Sequence, residues 1–190
     1  GARYEDTDGT PSNGFVETTA FMSSVHVEID STFDALGFAD DVNRDHWFWQ
    51  RTGSPSRPDA GFASLVMPVA LPGVAQNSTE MARIDLGMHA LTTSDSLNPD
   101  HYAVVRLENG PVVAEERWDG QRARVASGTV QASVLSDSIR VILESPGDPS
   151  YPFEPVPYVD HVYFNWVSVS YPRRFDAQDG VLQFELPAQR

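Results

Sequence analysis

The stretch Ala82-Arg83-Ile84-Asp85-Leu86-Gly87-Met88-His89-Ala90 alternates apolar residues with polar or small ones along its whole length. Period-two alternation puts successive side chains on opposite faces of an extended strand, one face buried and one in water. The same rhythm recurs on either side of it. Val25, Val27 and Ile29 alternate with His26, Glu28 and Asp30, and Val130, Ala132 and Val134 repeat the pattern, as do Ile139, Val141 and Leu143. Leu65, Met67, Val69 and Leu71 form a run broken by Pro68. A proline cannot donate to a ladder, so this run predicts an edge strand or a bulge. Tyr102 to Leu107 turns through Glu108-Asn109-Gly110 into Val112 to Trp118. Asn-Gly between apolar runs signals a hairpin, because both residues tolerate the positive φ of a tight turn. From Val159 to Tyr171, Val167, Val169 and Tyr171 share one face while Phe164, Trp166 and Ser168 share the other. Apolar residues on both faces predict a central strand covered from two sides, with Trp166 in the core. Val181 to Leu186 reads as a short last strand.

Helical periodicity is poor, with only Asp41 to Arg51 and Ser31 to Leu36 suggesting a turn or two. About nine or ten short strands separated by turn residues predict an all-β fold with very little helix. The expected architecture is a two-sheet antiparallel β-sandwich of jelly-roll or galactose-binding-like type. Loops are expected at 1–14, 52–60, 73–79, 92–100 and in the proline-rich segment from Ser145 to Pro157. The 190 residues, 41% of them apolar, suit a single sandwich domain over 15–190 behind a flexible segment, 1–14.

All 13 basic residues are Arg and none is Lys, against 27 acidic residues, for a net charge of −14. Binding a phosphate backbone or an anionic lipid surface depends on cationic neutralisation, so nucleic acid and membranes are poor candidates as partners. An acidic coat favours solubility and attracts divalent cations. With no cysteine there is no disulfide, thiolate nucleophile or thiolate-ligated metal. No run approaches the roughly 18–20 apolar residues of a membrane-spanning helix.

Three groups of residues carry a family resemblance. They are His46-Trp47-Phe48-Trp49-Gln50-Arg51; then Pro99-Asp100-His101-Tyr102 with Leu107-Glu108-Asn109-Gly110 and Trp118-Asp119-Gly120; and last Asp160-His161 through Trp166 to Tyr171-Pro172-Arg173-Arg174. Their order and spacing resemble the β-sandwich domain found upstream of the catalytic domain in bacterial gingipain-like secreted cysteine peptidases. The resemblance covers residues 15 to 186. It implies a secreted or cell-surface multidomain protein in which this unit is accessory, with the catalytic Cys and His in a domain beyond Arg190. No position here matches those residues, so the resemblance carries no catalytic residue over, and the module itself is expected not to be an enzyme.

The residues themselves offer several candidate sites. The five histidines and many Ser and Asp allow triads on paper, but a triad is recognised by geometry. No Gly-x-Ser-x-Gly elbow, His-Glu-x-x-His or phosphate-cradling loop occurs. His26 and His89 fall on the outward phase of their strands and read as solvated; His101 and His161 each follow an Asp at a strand entry, where local hydrogen bonding accounts for them. Asp41, Asn43 and Asp45 place oxygen side chains at alternate positions, as in the first part of a calcium loop. His46 then replaces the turn glycine and Thr52 the closing Glu, so a structural calcium there would need ligands from other loops. Trp47 and Trp49, two apart, either plug one end of the sandwich or, with Trp118, Tyr151 and Phe153, offer aromatic faces to a glycan. Arg173 and Arg174 suit a contact with an adjacent domain of the same polypeptide, or salt bridges within the chain. The leading expectation is thus an accessory interaction module, and the alternative is a carbohydrate-binding module.

Overall fold

A computed structural model describes residues 19–34, 45–52, 64–95, 97–146, 160–177 and 180–181. The strands in chain order are β1 (Ala20–Glu28), β2 (Thr32–Phe33), β3 (Trp47–Phe48), β4 (Gln50–Arg51), β5 (Ser64–Ala70), β6 (Met81–Ala90), β7 (His101–Leu107), β8 (Val112–Trp118), β9 (Ala123–Gln131), β10 (Ser138–Glu144) and β11 (Val162–Arg174). They build two antiparallel sheets, one in the order β1-β11-β6-β9 with β4 also paired to β11, the other in the order β5-β10-β7-β8. β2 and β3 make a small separate ladder. The molecule is an all-β sandwich. No described helix is long and apolar enough to cross a membrane.

The core is what the alternation dictates. Ala82, Ile84 and Leu86 on β6 face Leu65, Met67 and Val69 on β5, Ile139, Val141 and Leu143 on β10, and Ala103, Val105 and Leu107 on β7, all buried in one cluster. Each Val, Leu, Ile or Met side chain among them contributes about 1.5–3 kcal/mol through removal from water. β5 is an edge strand, and Pro68 sits in it opposite Arg140 with its ring exposed, as a residue without an N–H must. In the β7–β8 hairpin Asn109 takes the left-handed conformation (φ 56°), while Gly110 donates its N–H to the Leu107 carbonyl (3.0 Å).

Four local expectations are corrected. Strand β9 stops at Gln131, and Ala132–Val134 form a 3-10 turn that delivers Leu135 into the core, 1% exposed. Residues 45–51 are extended, not helical, because Trp47–Phe48 pair with Thr32–Phe33 and Gln50–Arg51 pair with β11. In β11 a bulge falls between Phe164 and Trp166. The extra residue, Asn165, resets the phase, so Phe164 joins Val167, Val169 and Tyr171 in the core while Trp166 moves to the outer face. His89 is on that outer face too, yet it is buried, because the segment carrying Phe48 folds over it (ring centroids 6.1 Å apart).

Gly128 marks where the chain, having passed from β8 to β9, brings the two sheets together. A Cβ there would stand 1.9 Å from the Val113 carbonyl oxygen, a backbone atom that cannot move aside alone. Gly128→Ala is therefore expected to destabilise the domain by about 3 kcal/mol, read from urea denaturation, by forcing the strands apart. A change under about 0.5 kcal/mol would contradict this packing.

Candidate functional site

Asp100, His101, Trp118, Gly120, Asp160 and His161, from the stretches that carry the family resemblance, converge at one end of the sandwich, whereas residues 107–110 and 171–174 lie at the far ends of β7 and β11. His101, at the start of β7, is 1% exposed, and its Nδ1 lies 2.6 Å from Asp160 Oδ1. Its Nε2 lies 3.2 Å from Asp100 Oδ1. Asp160 also accepts from the Ser145 hydroxyl (2.8 Å) and the Tyr102 amide (3.3 Å). Asp100 accepts the amides of Ser94 and Gly120, both at 2.9 Å. Gly120 has φ +75°, which explains glycine at the end of Trp118-Asp119-Gly120. Trp118 stacks on the His101 ring at 4.9 Å and is itself buried. One imidazole between two carboxylates thus joins β7 of one sheet to the segment entering β11 of the other.

The neighbouring motif residues extend this clasp. His161 pairs its Nδ1 with the Thr52 carbonyl (2.9 Å), and Thr52, fully buried, exchanges hydrogen bonds with Val162 through both backbone and side chain. Local strand-entry contact, expected for both histidines, is seen only between His101 and the adjacent Asp100; the other partners, Asp160 for His101 and Thr52 for His161, are 59 and 109 residues away.

Histidine and acids therefore meet, but not in a cleft. The side chains of His101 and Asp100 are 0% exposed. In a hydrolytic relay one imidazole nitrogen faces a carboxylate and the other a hydroxyl nucleophile. Here both nitrogens face carboxylates, and the nearby hydroxyl, that of Ser145, donates to Asp160 instead. A second row, His26, Ser168 and Asp85, runs across neighbouring strands on the outer face. There the Asp85 carboxylate is engaged by Arg83 (2.9 Å) and Ser127 (2.6 Å), and the Arg83 hydrogen bond, the largest influence, holds its pKa below the usual carboxylate value.

The candidate residues named from sequence do not form one site. Trp118 is buried on His101. Trp49 packs against the core and stacks on Phe164 (5.8 Å), as a plug. Trp47 is 46% exposed and leans on Phe33 (5.0 Å), so the three indoles share no common face. Arg173 lies over the Phe21 ring (5.8 Å), while Arg174 pairs with Asp176 (2.7 Å) at the surface. Asp41, Asn43, Tyr151 and Phe153 lie outside the described residues. Asp45 accepts the Trp47 amide (2.9 Å) on one oxygen and the Asn165 amide group (2.8 Å) on the other. Among the described residues, no three acidic or His side chains are grouped as a metal site requires.

A recess of about 240 Å³ opens on the outer face of the β1-β11-β6-β9 sheet, lined by Asp45, Gly87, Arg124, Val125, Asn165 and Trp166 among others. The Trp166 indole lies directly on Gly87, where a Cβ would come within 2.3 Å of the ring. None of Trp166, Asn165 or Gly87 was singled out as a site residue by sequence reasoning. A glycine inside an otherwise regular strand pattern, marking close approach of another group, was the available signal.

Two stability predictions follow from these contacts. His101→Ala removes the imidazole that bonds Asp160 and leaves a buried cavity beneath Trp118, and is expected to cost about 3–5 kcal/mol, lowering the melting temperature on the order of 10 °C. A loss below about 1 kcal/mol would contradict the clasp. Tyr163 stacks on Phe48 and donates its hydroxyl to Asp34 (2.6 Å); burial first, and then Asp34, push its pKa up to about 12. The folded value exceeds the unfolded one near 10, so this stabilisation is full below pH 10 and is lost as pH rises through 12. Tyr163→Phe should flatten that alkaline fall in melting temperature, while costing about 1.5–3 kcal/mol at neutral pH.

No family model and no curated protein sequence matches the chain. Among solved structures, the fold is similar to part of dimeric latent PorU from Porphyromonas gingivalis, with a TM-score of 0.55 and 9% identity. The match covers 83% of this chain and 13% of that one. The chain is thus a distant relative in fold of one segment of PorU.

Proposed function

We propose that this chain is a non-catalytic accessory domain of a larger exported bacterial protein, bracing or presenting a gingipain-like peptidase domain that follows it. The observation that carries the reading is the fate of the motif residues. Asp100, His101, Trp118, Gly120 and Asp160, which carry the sequence resemblance, are all spent on holding the two sheets together. Residues kept for this purpose are what a structural module needs, whereas a catalytic one needs an exposed, convergent set. The fold likeness to a segment of PorU supports the same neighbourhood.

The surface near the end of β11 suits a junction. Phe175 is 36% exposed and packs on Phe21 (5.1 Å), Met22 is 50% exposed, and Arg174 stands beside them at the end of β11. Apolar and aromatic side chains next to arginine match the composition of domain interfaces.

A stretch of the parent polypeptide running past Arg190 is expected to melt at a higher temperature than this domain alone, with both parts tumbling as one body by NMR relaxation. Phe175→Ala should remove part of that gain and leave the isolated domain within about 0.5 kcal/mol of its original stability. Independent tumbling with no gain would rule out bracing.

A further inference from the structure

We infer that the recess over Gly87 is a binding site for a single pyranose ring, with the Trp166 indole as its platform. The absence of a side chain at Gly87 lets the indole lie flat on the sheet, since a Cβ would sit 2.3–2.8 Å from three ring atoms. The bulge at Asn165 turns both that residue and Trp166 toward the recess. The two ends of the recess differ in character. Trp166 and Val125, the latter 49% exposed, form an apolar wall; Asp45, Asn165 and Arg124 form a polar one.

The polar wall holds unspent hydrogen-bonding capacity. Asn165 Oδ1 and Arg124 Nε are both shielded from solvent without a partner. Orphaned buried polar atoms are uncommon and costly. One is an acceptor and the other a donor, and a hydroxyl serves both. Asn165 is meanwhile fixed by its amide bond to Asp45 (2.8 Å), which orients the orphan oxygen.

The ligand class follows from size and polarity. About 240 Å³ is below the roughly 300–1,000 Å³ of drug-sized pockets, so the site takes one ring. A pyranose presents C–H groups on one face and hydroxyls around its rim, matching an indole beside a carboxylate, an amide and a guanidinium. Phosphorylated ligands are disfavoured by Asp45 and by the net charge of −14. An aromatic side chain would stack but leave the polar wall unsatisfied. None of this depends on a neighbouring domain, so its failure leaves the accessory reading untouched.

The test is NMR titration of the intact chain with methyl pyranosides of glucose, galactose, mannose, xylose and N-acetylglucosamine, each to about 50 mM, following the Trp166 indole N–H resonance and, in every variant, the backbone amides of Gly87 and Val125, which line the recess. At least one should shift it with a Kd of about 1–10 mM. Trp166→Ala should weaken that binding about tenfold or more, and Asn165→Ala about threefold or more. Trp47→Ala should leave it unchanged, and amide spectra of each variant report whether the fold is kept. Absence of any shift, a shift of the Gly87 and Val125 amides that survives Trp166→Ala at the same affinity, or tighter binding of adenosine or N-acetyltyrosine amide at the same resonances would overturn the assignment.

Discussion

The arrangement of this domain depends on one imidazole held between two carboxylates. His101 sits where β7 begins, Asp160 where the chain enters β11, and Asp100 anchors the loops that flank both. A buried polar cluster gains little net stability over an apolar plug of the same volume, because desolvation offsets attraction. Its effect is on geometry. Each carboxylate oxygen accepts from a specific backbone or side-chain group, so the end of the sandwich has one arrangement that satisfies all of them. The oily layer between the sheets supplies adhesion, and the clasp supplies register.

The clasp also separates chemistry from its usual reagents. Histidine, aspartate and serine are all present within a few ångströms, but both imidazole nitrogens face acids and the serine hydroxyl faces an acid as well. On the outer face Gly87 admits an indole and a bulge turns Asn165 outward, and there, as at His101 Nε2 and Trp118 Nε1 within the clasp, polar atoms stay without a hydrogen-bond partner beside an aromatic ring.

Much of the fold was legible in the sequence because burial on one face writes a period of two. The rows from Ala82 to Leu86, Leu65 to Val69 and Ile139 to Leu143 lie in the core as their alternation required. Pro68 marked its edge strand and Asn109-Gly110 its turn. What failed did so where a local irregularity interrupts the period. A bulge leaves no periodic trace, so Asn165 moved Trp166 from the expected core to the surface and Phe164 the other way. His89 has the phase of a solvated residue and is buried by a segment distant in sequence. The clasp motifs were visible as a set, but not their contact, because His101 and Asp160 meet across 59 residues. The spacing of Trp47 and Trp49 was open to a plug or a platform, and the geometry gives each indole a different neighbour, Trp49 packing against the core and Trp47 against Phe33.

The central claim is that the acids of the clasp pin loop backbone as firmly as the sheets pin strand backbone. Amide hydrogen exchange at Ser94 and Gly120 tests this directly, since both lie outside strands and donate to Asp100 at 2.9 Å. The account predicts that these two amides exchange only through global unfolding, as slowly as those of β6 and β11, with opening free energies equal to the stability of the whole domain. Exchange at the rate of ordinary surface loops, with the strands still protected, would show that the clasp does not hold the structure together.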